Sequence, residues 1–131
     1  MVKGEATLAL VWSGDAQYAI NLNPNLAYVV PKEGSNVWID GMVSPKSAPN
    51  YENALKFIDF LCWPEIAVMY TEYIEYSTPN AAAIELMGED YTSNPNLNPS
   101  QETVDNCEFF HDNNDVKQLY DTFWGMVKNA K

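Results

Sequence analysis

The chain has 131 residues, enough for one domain of ordinary size. Hydrophobic residues make up 47% of it and aromatic residues 13%, which argues against wholesale disorder. Eighteen acidic residues against seven basic ones give a formal net charge of −11, which argues against a nucleic-acid partner because phosphates are normally neutralised by a basic face.

The first 45 residues have the sequence patterns of strands. Apolar runs at residues 6–12 and 26–31 predict two buried strands of an α/β sheet, and residues 36–43 predict a third. Between the first two, residues 15–22 predict a short helix, which ends at the turn formed by Asn23 and Pro24. The first third of the chain is therefore expected to be strand-rich.

The rest of the chain is expected to be mainly helical. Asn50 is a suitable N-cap for a helix with apolar residues at helical spacing, and Pro64 suits the first turn of the next helix. Asn80 is expected to cap a third helix that stops at Gly88.

Turn-forming residues fill positions 91–100, which therefore predict a surface loop, and Ser100 is expected to cap one helical turn. A last helix over about residues 114–129 aligns apolar side chains on one face. These are Val116, Leu119, Tyr120, Phe123 and Val127.

Two pairs of one aromatic and one acidic residue are the candidate site. Trp12 and Asp15 lie where the first predicted strand ends, and Trp38 and Asp40 share one face of the third. Ligands of α/β proteins bind outside the carboxyl ends of strands. Carboxylates and ring faces would suit a small organic diammonium ion, whose charged ends need acids and whose methylene chain packs between rings. Tyr76 could add a third aromatic wall.

Each of these residues also has a purely structural explanation. Trp38 on a buried strand can be part of the core, and Asp15 after a glycine can cap a helix. Asp40 inside an apolar strand needs a cation or a hydrogen-bond donor, and a backbone N–H would serve as well as a ligand. The net charge is likewise compatible with a cationic partner or with a solvated acidic surface.

No other motif indicates catalysis, a metal or a cofactor. Cys62, Cys107 and the single His111 lack the spacing of a zinc site, and the sequence does not decide whether the two cysteines pair. His111 is expected to be a surface or capping residue. The sequence contains no nucleophile motif, no phosphate-binding glycine loop and no apolar run long enough for a membrane span, and its opening residues lack the pattern of a signal peptide.

Several segments together resemble a known family. They are VWSGDA at 11–16, VVPKEGSNVWIDGMVSPKSAPN at 29–50, ALKFIDFL at 54–61, EYSTPNAAA at 75–83, and NCEFFHD and LYDTFW near the end. In this order and spacing they resemble the C-terminal part of bacterial polyamine-binding proteins, the spermidine and putrescine receptors of ABC transporters. The resemblance covers nearly all of this chain.

The resemblance implies ligand-binding roles for the candidate residues. Trp12 matches the family tryptophan that packs on the ligand's carbon chain. Trp38 and Asp40 match the family's tryptophan and ammonium-binding aspartate, which would explain an acid on a buried strand. Tyr76 matches the tyrosine before the TPN break. Asp15 stands where putrescine receptors place an acid, which favours a short diamine.

The resemblance also implies the setting of the protein. It would be the extracytoplasmic solute-binding component of an ABC transporter, without catalytic activity, acting with a permease in the periplasm or on the extracellular face of the cytoplasmic membrane. Phe110 stands where some spermidine receptors have a ligand-contacting glutamine, and this departure disfavours spermidine recognition at that end.

The family fold is α/β and of the periplasmic-binding-protein type II, with two lobes that close on the ligand. Mapped here, residues 1–37 and 80–131 would belong to the second lobe and residues 38–79 would cross into the first. An N-terminal portion that carries the early strands of the first lobe would be missing, leaving strand edges and apolar faces exposed. We therefore expect an expressed fragment or the tail of a longer polypeptide, which hides these surfaces by forming a homo-oligomer or swapping elements.

Two alternatives come from other classes. The chain could be a carbohydrate-active enzyme or binding domain that uses Asp15 and Asp40 as a carboxylate pair and tryptophans to stack on sugar rings. It could also be an interaction module that binds no small molecule.

Overall fold

A computed structural model describes residues 1–110 and 116–130. In chain order its elements are α1 (Ser13–Leu22), β1 (Asn36–Val37), α2 (Tyr51–Leu61), α3 (Pro64–Ile74), α4 (Ala81–Thr92), α5 (Gln101–Asp105), β2 (Glu108–Phe109) and α6 (Lys117–Asn129). The described part of the chain is therefore mainly helical. His111 lies outside the described residues, so its assignment stays a prediction.

The helices agree closely with the predictions. α1 begins two residues before Asp15, which lies in its first turn, and Pro64 occupies the first turn of α3. The Asn80 side chain accepts a hydrogen bond from the backbone N–H three residues on, at 3.1 Å, and Ser100 Oγ makes the equivalent bond at 3.2 Å. Side-chain caps of this kind satisfy backbone donors that have no partner within the helix.

One detail of the predicted helices is confirmed in position only, and one is wrong. Asn50 is the N-cap of α2 by position, but its side chain makes no capping hydrogen bond. Gly88 adopts φ +70°, which interrupts α4 because a helix needs negative φ, but the chain resumes helical turns as far as Thr92. The predicted loop at 91–100 therefore begins two residues late.

The strand predictions are mostly wrong. Residues 6–12 and 26–31 form no strand, and within 36–43 only Asn36–Val37 does. β1 pairs in parallel with β2, which is not among the predicted elements. A strand exists through hydrogen bonds to a neighbouring strand, and among the described residues β1 and β2 are the strands that find one. Apart from α1 and the two residues of β1, the first third of this chain therefore has no helix or strand.

The best-packed part of the chain is the contact of α3 with α4. Ala67 and Ala83 are completely buried there, and their small side chains let the helix backbones approach closely. Thr71 and Tyr91, which are 2% and 7% exposed, complete this small core.

A large apolar surface remains open to solvent. The accessible surface is 10,972 Å², whereas a folded monomer of 14.8 kDa should expose about 7,000 Å². Leu8 and Leu10 of the extended N-terminal segment are almost fully exposed. The predicted apolar face of α6 forms, but it is also more than half exposed at Leu119, Tyr120, Phe123 and Val127. Within residues 1–110 and 116–130, no helix has both the length and the hydropathy to cross a bilayer.

Candidate functional site

Two of the aromatic side chains are placed by the β1–β2 pair. The strands run parallel, with Val37 opposite Phe109, so their carboxyl ends lie at the same edge. The N–H of Phe110 donates to the carbonyl of Val37 at 3.4 Å and extends this pairing by one residue. Trp38 and Phe110 each follow their strand directly, and both therefore emerge at this edge.

Trp12 joins these two residues from the start of α1. It is the N-cap residue of that helix, and its extended backbone turns the chain into the helix. Its ring lies edge-to-face against Trp38, with 4.5 Å between ring centroids and 63° between planes. It also lies 6.3 Å from Phe110 at 77°. Contacts of this geometry are favourable because the positive edge of one ring meets the negative face of the other.

Tyr76 links the aromatic residues to the first acid. Its ring is 6.2 Å from that of Trp38 at 69°, and its hydroxyl donates to Asp15 Oδ2 at 3.4 Å. The ring also lies against Gly14, where an added Cβ would clash with it. Glycine at this position is therefore what lets Tyr76 reach the first turn of α1.

The electrostatics of Tyr76 bring in the second acid. Burial is the largest cause that raises the pKa of the phenol, and the negative charge of Asp15 adds to it because it opposes a second anion nearby. The Asp15 hydrogen bond raises the pKa further, and the charge of Asp40 also raises it. Asp15 and Asp40 thus both act on the same hydroxyl group.

A buried tyrosine holds the segment that carries Tyr76. The Tyr91 hydroxyl accepts a hydrogen bond from the Thr78 N–H at 3.1 Å and donates to the Leu97 carbonyl at 3.0 Å. The same carbonyl accepts a bond from Ser77 Oγ at 2.7 Å. Burial raises the pKa of the Tyr91 phenol, so it keeps its proton for this bond. The residues after Tyr76 are thereby fixed to α4 and to the loop behind it.

The structure therefore brings four of the five predicted site residues into contact, with one addition. Trp12, Trp38 and Tyr76 form a continuous row of rings, Asp15 is hydrogen-bonded to Tyr76, and the charge of Asp40 raises the pKa of the same phenol. We call these three aromatic residues and two acids, together with Phe110, the aromatic wall. Sequence reasoning named Phe110 only as a departure from the family pattern. Its position before the last helix, where some relatives have a ligand-contacting residue, was the available signal.

Two expectations about this site are wrong. Asp40 is exposed rather than buried on a strand, because β1 ends at Val37 and the next residues have no strand beside them. The rings of Trp12 and Trp38 touch, whereas a methylene chain between two ring faces needs roughly 7 to 8 Å, twice the carbon contact distance. These two rings therefore leave no space for a methylene chain between them.

Asp15 is not the helix cap that its purely structural explanation predicts. The N-cap residue of α1 is Trp12, and Asp15 accepts its hydrogen bond from Tyr76 instead of from the helix backbone. The hollows of about 510 and 190 Å³ are lined by residues outside the aromatic wall.

Metal and disulfide chemistry have no observed basis in the part that the structure describes. No three His, Cys, Asp or Glu side chains among these residues are grouped to hold a metal ion. Cys62 and Cys107 are both free thiols, the first exposed and the second half-buried.

Comparison with known proteins assigns the chain to a family. The family model for bacterial extracellular solute-binding proteins matches residues 1–99. The chain belongs to this family. Among its solute-binding relatives, the spermidine/putrescine-binding periplasmic protein of Salmonella typhimurium is 35% identical over 130 residues, which are 99% of this chain and 37% of the relative. The putrescine-binding periplasmic protein of Pseudomonas aeruginosa is 32% identical, and the match covers 100% of this chain and 38% of the relative.

The fold has a relative among solved structures. A structure from Listeria monocytogenes, provisionally named a spermidine/putrescine ABC transporter, superposes with a TM-score of 0.77 at 37% identity. The match covers 91% of this chain and 37% of that chain. The predicted resemblance to polyamine receptors is therefore confirmed, as is the extracytoplasmic setting at the level of the family. This chain spans only 37–38% of the length of these relatives, and none of them supports the carbohydrate-active alternative.

Proposed function

We propose that this chain forms one side of the ligand site in an extracytoplasmic polyamine receptor that delivers its ligand to an ABC transporter permease. The observation that carries the proposal is the aromatic wall, in which a row of rings at the carboxyl edge of a parallel strand pair meets the Asp15 carboxylate at Tyr76. An ammonium group is attracted both by a carboxylate and by the face of an aromatic ring. A flexible diamine offers two such groups joined by an apolar chain.

Asp40 is exposed, so its position does not by itself require a cation. A buried acid would itself demand a cation, but an exposed one is already solvated by water. The support is instead the convergence of Asp15 and Asp40 on Tyr76, together with the names of the relatives. Phe110 adds an apolar surface instead of an amide at one end of the wall, which favours a short diamine such as putrescine.

We further propose that the rest of a receptor-length chain covers the open surfaces. The exposed area exceeds that of a folded monomer by roughly 4,000 Å², the size of an obligate interface rather than of a transient contact. In this arrangement residues 1–37 and 80–131 belong to one lobe and residues 38–79 cross into the other. A ligand on the aromatic wall would then be enclosed when the lobes close. The protein would bind and release its solute without chemical change.

Calorimetry of the 131-residue chain, and of a receptor-length protein that contains it, tests this function. We expect putrescine to bind the receptor-length protein with an affinity that falls as salt is raised, because the contact is between opposite charges. Asp40→Asn and Asp15→Asn should each weaken binding by about tenfold or more, since a hydrogen bond to a charged group contributes roughly 1.5 to 3 kcal/mol.

The control is Asp59→Asn, which removes an exposed carboxylate on α2 and should leave the affinity unchanged. A neutral oligosaccharide should not bind. Equal weakening by Asp40→Asn and Asp59→Asn would mean that the overall negative charge of the protein, and not a specific contact with Asp40, attracts the ligand. Binding of the oligosaccharide but not of putrescine would overturn the proposal in favour of a sugar-binding site.

A further inference from the structure

Gly14 is a helical glycine that its own backbone does not require. It lies in the first turn of α1 and is buried, and its φ is outside the left-handed region that favours glycine. Glycine in a helix is destabilising relative to alanine, because it loses more conformational freedom on folding. Alanine would therefore suit α1 itself better, and it is the surroundings of Gly14 that exclude a side chain.

The neighbour that excludes a side chain is the ring of Tyr76. A Cβ added at Gly14 would lie 2.7 Å from Cζ of that ring and closer still to two other ring carbons, whereas Cβ atoms essentially never approach another heavy atom within 3.0 Å. The overlap is at the hydroxyl end of the ring, because Cζ carries the phenol oxygen. A methyl group on residue 14 would therefore displace the same end of the ring that donates to Asp15 Oδ2 at 3.4 Å.

Hydrogen bonds on either side of Tyr76 keep its backbone from moving away. Before it, Glu75 Oε1 accepts a bond from the Asn21 amide of α1 at 2.6 Å. After it, the Thr78 N–H donates to the Tyr91 hydroxyl of α4 at 3.1 Å. Since the segment is fixed at both ends, the ring can avoid an added methyl group only by rotating about its own side-chain bonds.

Rotation of the Tyr76 ring would change the aromatic wall at two contacts. Tyr76 is the last ring of the row, and its edge-to-face contact with Trp38, at 6.2 Å and 69°, depends on its present orientation. Its hydroxyl bond to Asp15 holds one carboxylate beside the end of the row, and this bond would break. Both contacts belong to the surface on which the proposed ligand lies, so a change at the buried Gly14 would reach that surface.

We propose that Gly14 is a positioning residue of the polyamine site. Its lack of a side chain lets the Tyr76 ring lie against the first turn of α1, and this contact sets the geometry of the Tyr76–Asp15 pair that meets the ligand. Gly14 itself touches no ligand and acts only through the ring that covers it. The inference rests on the proposed function and adds to it a residue that determines how the site is shaped.

Gly125 is the matched comparison within the same chain. It also lies in a helix, α6, but an added Cβ there would meet no other part of the described chain within 4 Å. Gly125→Ala should therefore leave the affinity for the ligand unchanged, and it should strengthen α6 slightly because alanine is the better helix former. Any loss that is specific to Gly14→Ala comes from the contact with Tyr76 and not from replacing a helical glycine.

NMR of the 131-residue chain with isotope-labelled tyrosine tests the positioning without any ligand. In the unaltered chain the Tyr76 phenol should titrate above its ordinary range, because burial and the charges of Asp15 and Asp40 raise its pKa. In Gly14→Ala it should titrate at lower pH, since its hydroxyl has left Asp15. The signal of Tyr91, whose hydroxyl bonds elsewhere, should not change. An unchanged Tyr76 titration in Gly14→Ala would overturn the inference.

Calorimetry with putrescine on the receptor-length protein tests the consequence for binding. Gly14→Ala should weaken binding roughly threefold to tenfold, the value of one displaced contact between a ring and an ammonium group. In a Tyr76→Ala background, where the methyl group has room, Gly14→Ala should change the affinity by less than about twofold. Equal weakening in both backgrounds, or equal weakening by Gly125→Ala, would contradict the positioning role. If the unaltered protein does not bind putrescine, the proposed function fails, and the Tyr76 titration still decides whether Gly14 positions the ring.

Discussion

Two regions of the molecule differ in how well they bury their apolar side chains. One is the helical region of α3 and α4, and the other is the segment before α1. In the first, Ala67 and Ala83 are completely buried, whereas in the second Leu10 is fully exposed. A helix satisfies its backbone hydrogen bonds within its own residues, so it forms wherever one face finds a neighbour. A strand needs a second strand, and when none is adjacent its apolar side chains stay in water.

The largest effect is expected where the helices pack most closely. Ala83→Leu adds three carbon atoms at a completely buried position between α4 and α3, which must force the helices apart. Overpacking of this kind should lower the free energy of unfolding by about 3 kcal/mol. Urea denaturation followed by circular dichroism measures it.

Ala82→Leu is the matched control for this change. Ala82 precedes Ala83 in the same helix but is exposed, and leucine has nearly the helix propensity of alanine. Its stability should change by less than about 0.5 kcal/mol. Equal losses in the two variants would show that the α3–α4 contact is not the stable part of the chain.

An intermediate effect is expected from the hydroxyl that holds the Tyr76 segment. Tyr91→Phe leaves the buried Thr78 N–H without its acceptor and removes one donor from the Leu97 carbonyl. The loss should be about 2 kcal/mol, because an unsatisfied buried group costs its full desolvation. Tyr73→Phe, at an exposed position on α3, should have no measurable effect in the same urea experiment.

The smallest effect is expected in the extended region. Leu10→Ala should change the stability of the 131-residue chain by less than about 0.5 kcal/mol, since the side chain contacts mainly water. In a receptor-length protein the same change should cost about 2 kcal/mol or more, because the proposed covering segments would bury the leucine.

Light scattering on a size-exclusion column sharpens this last comparison. If the surface around Leu10 is open to solvent, the 131-residue chain should be monomeric and Leu10→Ala should leave its stability nearly unchanged. A dimer that Leu10→Ala dissociates would show instead that a second copy covers the segment.

Sequence reasoning predicted the helices well because helix formation depends on local information. Asn80 and Ser100 are recognisable caps, and Pro64 marks the start of α3. The site residues were predicted by combining an acid on an apolar run, Asp40, with the family resemblance, and their role in binding stays a prediction. In the structure Trp38 and Asp15 both contact Tyr76.

The parts that were predicted wrongly depend on contacts with residues that are distant in sequence. The run at residues 6–12 has the composition of a strand, but its pairing depends on a neighbour that composition does not reveal. The prediction that Asp40 is buried was wrong for the same reason. The contact of Trp12 with Trp38 could not be anticipated, because ring positions follow from tertiary packing.

The pairing of β1 with β2 has a consequence for how the aromatic wall comes into being. Two residue pairs join segments that are about 70 positions apart, so a long loop must close for very few hydrogen bonds. Contacts of such high sequence separation form late in folding. Trp38 and Phe110 should therefore acquire their native arrangement after the helices, and hydrogen exchange should open this edge before it opens α3.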